Sequence, residues 1–129
     1  MFNQSDNIGF IKGHMCSPAI ATQAEDLIAG GVKELIHVGY AGGLQPELVP
    51  GEIILTDGAF NDTAVARLYG YDYEIICSSK DLTNEIEEMI TSAEIPYKRG
   101  LHWTTDAGYR ETWGQVMDYR DKGALCVEM

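Results

Sequence analysis

The sequence predicts an α/β fold: a three-layer domain with a central mixed, mostly parallel sheet flanked by helices. Short apolar runs typical of buried strands alternate along the chain with segments of helical period. No repeat, low-complexity run or linker interrupts them. At 129 residues, 45% of them hydrophobic, the chain is long enough for one hydrophobic core and short for two. We therefore expect residues 1–129 to form a single domain.

The N-terminal part is predicted to form a strand, a helix and a second strand. Residues 8–11 are a short apolar run that indicates a strand. Ser17 is the expected N-cap of a helix over residues 18–29, because proline follows it at the first helical position and two glycines end the helix. The apolar run within residues 33–39 predicts a compact buried strand. This order predicts a right-handed βαβ crossover.

The rest of the chain is predicted to contain three strands and two helices. The expected elements are a strand at 52–60, a helix at 81–93, a strand at 97–104, a helix at 111–122 and a strand at 124–129. Apolar runs bounded by turn residues indicate the strands, and apolar residues three and four positions apart indicate the helices. Residues 61–79 are rich in tyrosine and show no clean period.

The charge of the chain excludes two classes of partner. It has 9 Lys and Arg against 20 Asp and Glu, a formal net charge of −11. This charge repels phosphate backbones and anionic lipid surfaces, so neither nucleic acid nor a membrane is an expected partner. No apolar run approaches the roughly 20 residues of a membrane span, and residues 1–12 do not have the pattern of a secretion signal.

The cysteines indicate a reducing compartment. Cys16, Cys77 and Cys126 are odd in number and widely spaced, which is typical of neither a disulfide framework nor a zinc site. The expected location is the cytoplasm.

A glycine-rich segment follows the predicted strand at 33–39. Gly39, Gly42 and Gly43 would let the backbone approach a ligand closely, at the edge where α/β sheets bind ligands; a plain tight turn is the alternative. His37 is either a core histidine or, if it reaches the crevice, a donor or conditional cation. The turn at residues 13–18 is a second candidate, because a helix N-terminus attracts anions, although it also suits a simple cap.

Residues 103–111 combine aromatic, hydroxyl, carboxylate and guanidinium groups. Such a mixture can stack on a planar base and bind its edges. The alternative is that Asp106 caps a turn while Arg110 pairs with a carboxylate on the surface. Glu128 lies on an otherwise apolar strand, where a charge is costly unless it is solvated, paired or bound to a ligand.

Four motifs occur in order along the chain. They are Gly13-x-x-Cys16-Ser17-Pro18, residues 32–46 around His37-Val38-Gly39-Tyr40-Ala41-Gly42-Gly43, residues 103–111, and Val127-Glu128-Met129. Taken together they resemble the purine nucleoside and uridine phosphorylase family over nearly the whole chain, the second and third motifs being the specific ones.

This resemblance implies phosphorolytic cleavage of the N-glycosidic bond of a purine or pyrimidine nucleoside. It implies a nucleoside or nucleobase and phosphate as ligands, phosphate as co-substrate, no cofactor or metal, and a homo-oligomer. The phosphate- and ribose-binding residues would be His37, Gly39, Tyr40, Ala41 and Gly42; the base-binding residues Thr105, Asp106, Gly108 and Tyr109; and the ribose-binding residues Glu128 and Met129.

Four positions depart from the family pattern. His37 stands where the family has a phosphate-binding arginine, Tyr40 where it has a serine or threonine, and Gly108 where an aromatic ring stacks on the base. Cys16 stands at a position that is usually glycine in the family. Relative to the family the chain is also expected to be truncated at both ends and to lack the group that protonates the departing base. Because loss of a general acid costs about 100-fold or more, activity of this short chain is expected to be weak or absent.

Two other functions are compatible with these departures. A nucleosidase-type hydrolase, in which water replaces phosphate, would suit the altered His37 and Tyr40. A non-catalytic nucleoside-binding or assembly module would suit the missing ring at Gly108. All three interpretations require the glycine-rich turn and the Asp106 turn to lie at one end of a shared sheet, with a nucleoside-sized hollow between them.

Overall fold

The secondary structure divides between two units of the chain, residues 1–38 and 39–129. The computed structural model of the chain describes residues 2–3 and 8–129. In the first unit, β1 (Phe2–Asn3) pairs antiparallel with β2 (Ile8–Gly9), and α1 covers Ser17–Ala29. The predicted helix at 18–29 is therefore confirmed, whereas the strand predicted at 8–11 is shorter than expected.

Helix α1 begins one residue earlier than predicted. Its N-cap is Cys16, not Ser17, because the Cys16 carbonyl accepts hydrogen bonds from the N–H groups of Ala19 and Ile20, both at 3.1 Å. Cys16 has a φ of 72°, an uncommon backbone conformation for a residue with a side chain. At the other end the left-handed conformation is taken by Gly31, with a φ of 98°.

The strand predicted at residues 33–39 is not formed. Residues 32–41 have no regular secondary structure, and most of their side chains are exposed, Val38 by 87%. An extended segment becomes a strand only when a neighbour accepts its backbone hydrogen bonds, and no described strand pairs with this one. The predicted crossover over residues 8–39 is therefore wrong for the described part of the chain.

The second unit forms a five-stranded mixed sheet. Its elements are β3 (Gly42–Gly43), β4 (Ile53–Asp62), α2 (Val65–Leu68), β5 (Ile75–Cys77), α3 (Lys80–Ser92), β6 (Tyr97–Thr105), α4 (Trp113–Asp121) and β7 (Cys126–Glu128). The strand order is β3-β7-β6-β4-β5. β4, β6 and β7 are mutually parallel, whereas β3 and β5 pair antiparallel at the two ends. The predicted α/β class with a mixed sheet is confirmed.

The core of this unit lies between β6 and α4. Trp103 is fully buried and stacks on Tyr119 of α4, with ring centroids 4.4 Å apart. Phe60 and Val127 pack beside it from the two neighbouring strands. Arg99 forms a hydrogen bond and an ion pair with side chains of α3. Because Arg99 lies four residues before Trp103 on β6, their side chains point to the same face of the sheet. Helices α3 and α4 therefore both contact that face.

A β-bulge in β4 places Asp57 opposite no residue of β6. The neighbouring Gly58 cannot be replaced without strain, because a Cβ there would contact the backbone carbonyl of Ile76. The carboxylate of the bulged Asp57 binds Arg99, whose guanidinium also binds Glu87 of α3. Through these ion pairs the bulged residue of β4 is linked to β6 and α3.

Candidate functional site

Three parallel strands end at the same edge of the sheet. Asp62 at the end of β4 pairs with Thr105 of β6, and Thr104 pairs with Glu128 at the end of β7. We name this region, at Asp62, Thr105 and Glu128, the carboxyl edge. Because α/β sheets bind ligands beyond the carboxyl ends of their strands, this edge is the candidate site.

The turn after β6 is fixed to the chain that follows β4. Asp106 Oδ2 accepts a hydrogen bond from the Ala64 N–H at 3.0 Å, and Thr105 Oγ1 accepts one from the Ala107 N–H at 3.4 Å. Thr105 is only 5% exposed. Within residues 2–3 and 8–129, the buried Asp106 Oδ1 has no hydrogen-bond partner. The polar side chains of this turn therefore hold its shape, which is the role that the capping alternative gave to Asp106.

Gly108 and Met129 are in contact at the carboxyl edge. A Cβ on Gly108 would lie 2.6 Å from Met129 Sδ, so the absence of a side chain at Gly108 leaves room for the thioether. Residues predicted to bind base and ribose are thus brought together. The side chain of Tyr109, the next residue, is fully exposed at 107%.

The glycine-rich segment reaches the same edge from the other side. Gly42 of β3 pairs with Val127 of β7, which in turn pairs with Trp103 of β6. Because β3 is antiparallel to β7, the residues just before Gly42 lie where β7 ends. Gly39, Tyr40 and Ala41 are exposed there, outside any strand. The glycine-rich turn and the Asp106 turn therefore approach one end of a shared sheet, while the hollow between them stays a prediction.

His37 belongs to the first unit. A Cβ on Gly13 would lie 3.5 Å from His37 Nε2, so the imidazole lies beside the Gly13 backbone. The residue is exposed and is therefore not a buried core histidine.

His102 is a candidate site residue that the sequence reasoning missed. Its Nε2 lies 3.3 Å from Glu128 Oε1, and the two side chains are 15% and 25% exposed. His102 alternates with the core residues Leu101 and Trp103, so the sequence pattern places it on the opposite face of the strand. Only the pairing of β6 with β7, which the sequence does not reveal, brings it to Glu128.

The thiol of Cys126 has low reactivity. Its pKa is raised to about 11, mainly by burial and to a smaller extent by the negative charge of Glu128. The thiol is therefore neutral near pH 7 and is a poor nucleophile.

A shallow depression of about 450 Å³ lies against α1, lined by Ile11, His14, Ala19, Thr22, Gln23, Asp26 and Leu27. Of these, only His14 falls within the predicted turn at residues 13–18. Among residues 2–3 and 8–129, no group of His, Cys, Asp or Glu side chains could hold a metal ion, and no helix has the length and apolar content to cross a membrane.

The chain matches the sequence model of one protein family over nearly its whole length. That family is described as the Phosphorylase superfamily, and the match covers residues 8–129.

Curated relatives of the chain are bacterial enzymes named purine nucleoside phosphorylase DeoD-type. The protein from Exiguobacterium sibiricum is 30% identical over 115 residues, which cover 87% of this chain and 48% of the relative. The protein from Caldanaerobacter subterraneus is 31% identical over 132 residues, covering 94% and 56%. The chain thus spans about half the length of the curated relatives it matches.

Two solved structures superpose on most of the chain. Uridine phosphorylase from Vibrio fischeri superposes with a TM-score of 0.82 at 26% identity, covering 89% of this chain and 48% of that one. A P. knowlesi homologue of P. falciparum PNP superposes with a TM-score of 0.79 at 24% identity, covering 88% and 48%, and supports the fold alone. With the family match over residues 8–129 and relatives at 30–31% identity, the chain belongs to the phosphorylase superfamily.

Proposed function

We propose that the protein containing this chain is a nucleoside phosphorylase. In this reaction a phosphate oxygen attacks C1′ of the sugar, the C1′–N bond breaks, and its electron pair leaves with the base, which takes up a proton. The products are a free base and a pentose 1-phosphate. No residue of this chain is assigned as the donor of that proton.

One observation carries the proposal. The pairing of Gly42 with Val127 and the contact of Gly108 with Met129 bring three predicted segments to the carboxyl edge of one sheet. The relatives named purine nucleoside phosphorylase support the same reaction class.

Phosphate and ribose are proposed to bind at the glycine-rich segment. The proposed donors are the backbone N–H groups of Gly39, Tyr40, Ala41 and Gly42. Because the glycines have no side chain, a ligand could approach the backbone closely there. His37 would supply a positive charge only when protonated, so phosphate would bind more weakly there than to a permanent guanidinium.

The base is proposed to bind over the turn at Thr105, Asp106, Gly108 and Tyr109. The hydrogen bond from Ala64 to Asp106 fixes this turn. Since Gly108 offers no ring, the flexible thioether of Met129 beside it would provide the apolar contact with the base.

The ribose is proposed to bind beside Glu128 and Met129. A carboxylate accepts hydrogen bonds from sugar hydroxyls, and Glu128 stands at the end of β7, one residue after the pairing with β3.

The remaining expectations belong to the same proposal. The enzyme would need no cofactor or metal, would act in the cytoplasm, and would assemble as a homo-oligomer from chains that each fold as one domain. The exposed apolar side chains of Val38 and Tyr40, at 87% and 104%, support assembly, because an isolated chain gains by covering them. A monomer in light scattering at micromolar concentration would contradict this part.

The reaction is tested by incubating the chain with inosine, adenosine or uridine, with and without phosphate, and measuring free base by chromatography. Release that depends on phosphate supports phosphorolysis, whereas equal release without phosphate supports the hydrolase. A nucleoside-dependent rise in the thermal midpoint without any release supports a non-catalytic binding module.

A matched pair of variants assigns any signal to the carboxyl edge. Glu128→Gln removes a carboxylate from the proposed ribose site, whereas Glu88→Gln removes an exposed one from α3. The first is expected to lower base release or nucleoside binding at least about 10-fold and the second to leave both unchanged. Equal behaviour of the two variants would contradict the proposed site.

A further inference from the structure

Glu111 brings a carboxylate to the turn at which the base is proposed to bind. A Cβ atom on Gly108 would lie 3.6 Å from Glu111 Oε1 and 2.6 Å from Met129 Sδ. A carboxylate oxygen and a thioether sulfur therefore lie beside the same point of the turn. The Glu111 backbone is held there, because its N–H donates a hydrogen bond to the Gly108 carbonyl at 3.2 Å.

Ion pairing does not account for this carboxylate in the part of the chain that the structure describes, residues 2–3 and 8–129. There the side chains of Glu111 and of Arg110, the expected cation of a surface pair, form neither a hydrogen bond nor an ion pair. Asp118, the other carboxylate that could pair with Arg110, binds Lys122 at 3.1 Å. The Glu111 carboxylate is therefore available to a ligand.

The N-terminus of the helix that follows Glu111 is capped by two other residues. The Thr112 hydroxyl accepts a hydrogen bond from the Gln115 N–H at 3.4 Å, and the Gln115 side chain accepts one from the Thr112 N–H at 3.3 Å. Glu111 itself is partly buried. Because partial burial of a charge without a partner is unfavourable, its position favours a role in binding a ligand.

We propose that Glu111 is a specificity-determining residue of the base site, whose carboxylate accepts a hydrogen bond from an N–H group on the edge of the base. A carboxylate accepts hydrogen bonds and donates none, so it favours a base with an N–H donor over one that offers only ring-nitrogen acceptors. Adenine, with its amino group, and hypoxanthine, with its ring N–H, belong to the first class. Unsubstituted purine, in purine riboside, belongs to the second. This inference rests on the proposed function, since it concerns the base part of a nucleoside.

The inference concerns the ratio of two affinities, which separates it from a general effect on folding. Adenosine and purine riboside have the same ring system and the same sugar, and they differ only in the amino group. Loss of the Glu111 carboxylate should weaken the binding of adenosine and leave that of purine riboside nearly unchanged. A merely structural role would weaken both nucleosides together.

The test is isothermal titration of adenosine and of purine riboside into the wild-type chain, Glu111→Ala, Glu111→Gln and Glu88→Ala. The wild-type chain should bind adenosine at least about 10-fold more tightly than purine riboside, and Glu111→Ala should reduce this ratio to less than about 2. Glu111→Gln, which keeps an acceptor oxygen but not the charge, should give an intermediate ratio. Glu88 is exposed on α3, so Glu88→Ala is the matched control and should keep the wild-type ratio.

Each outcome decides for or against the inference. Equal wild-type affinities for the two nucleosides, an unchanged ratio in Glu111→Ala, or a lost ratio in Glu88→Ala would overturn it while leaving the proposed function in place. If the wild-type chain binds none of adenosine, inosine and uridine, the proposed function fails and this inference fails with it. Should Glu111→Ala not fold by circular dichroism, Glu111→Gln decides, since a reduced ratio supports the inference and an unchanged one overturns it.

Discussion

Replacement of Trp103 by alanine is expected to destabilise the chain more than any exposed substitution. Trp103 is 0% exposed, and its ring stacks on Tyr119 at 4.4 Å. Truncation of a buried tryptophan removes its apolar contacts and leaves a cavity, at a cost of about 3–5 kcal/mol. Domains of this size are typically stable by about 5–15 kcal/mol, so Trp103→Ala removes a large part of the total.

Trp103→Phe is expected to cost much less, because two effects oppose each other. The smaller ring leaves a cavity, but it also removes the buried indole N–H, which has no hydrogen-bond partner in residues 2–3 and 8–129. Leaving such a donor unsatisfied costs about 1–3 kcal/mol, comparable with the loss of a few ring atoms. The net change should stay within about 1 kcal/mol.

The assay for both variants is urea unfolding followed by far-ultraviolet circular dichroism. With a urea dependence of about 1–3 kcal/mol per molar, Trp103→Ala should lower the midpoint by at least about 1 M. Trp113→Ala is the matched control, because Trp113 is 76% exposed and its loss should change stability by less than about 0.5 kcal/mol. The core assignment is refuted if Trp103→Ala and the control unfold at the same urea concentration.

Three further predictions follow from local chemistry. Because burial raises the pKa of the Cys126 thiol to about 11, a thiol reagent at about pH 8 should label the exposed Cys77 in the native chain and reach Cys126 only after unfolding, as read by peptide mass spectrometry; equal labelling rates would contradict the burial. Gly58→Ala should lower the thermal midpoint strongly, since its Cβ meets a backbone carbonyl, whereas Gly114→Ala in α4 meets no atom within 4 Å and should raise stability by up to about 1 kcal/mol; similar midpoints would refute the close approach at the bulge. A hydrogen bond from lysine lowers the pKa of Glu52 below 4.5, so the stability difference between wild type and Glu52→Gln should be present above pH 4.5 and vanish as the pH falls through the folded pKa; urea midpoints measured across this range test the sign, and a difference that grows in acid would contradict it.

The sequence predicted the helices and long strands because their signals are local. The stripe of Leu82, Ile86 and Met89 predicted the helix observed as α3, and apolar runs predicted β4 and β6 to within about two residues. The prediction of a strand at residues 33–39 was wrong, because a strand forms only where a neighbouring strand elsewhere in the chain pairs with it. Its apolar pattern describes what the segment would bury, not whether a partner is present.

The sequence indicates the motifs of the proposed site but not the contacts between them. Gly42, Gly108, Glu128 and Met129 were named from the sequence, and the structure brings them to one edge of one sheet. The proximity of His102 to Glu128 could not be foreseen, because it joins strands that lie far apart in sequence.

The bulge in β4 has a consequence for how the chain tolerates changes in length. Leu55 and Phe60 pair with Arg99 and Trp103, which point to the same face of β6, although five positions separate them on β4. In a regular strand, Leu55 and Phe60 would point to opposite faces, because an odd number of positions separates them. The unpaired Asp57 at the bulge brings both side chains to the same face. Deletion of one residue at this point would close the bulge and leave every later side chain of β4 on its present face, whereas the same deletion in the regular β6 would turn its following side chains inside out. Homologous chains are therefore expected to differ in length by one residue at this place in β4, while the length of β6 stays constant.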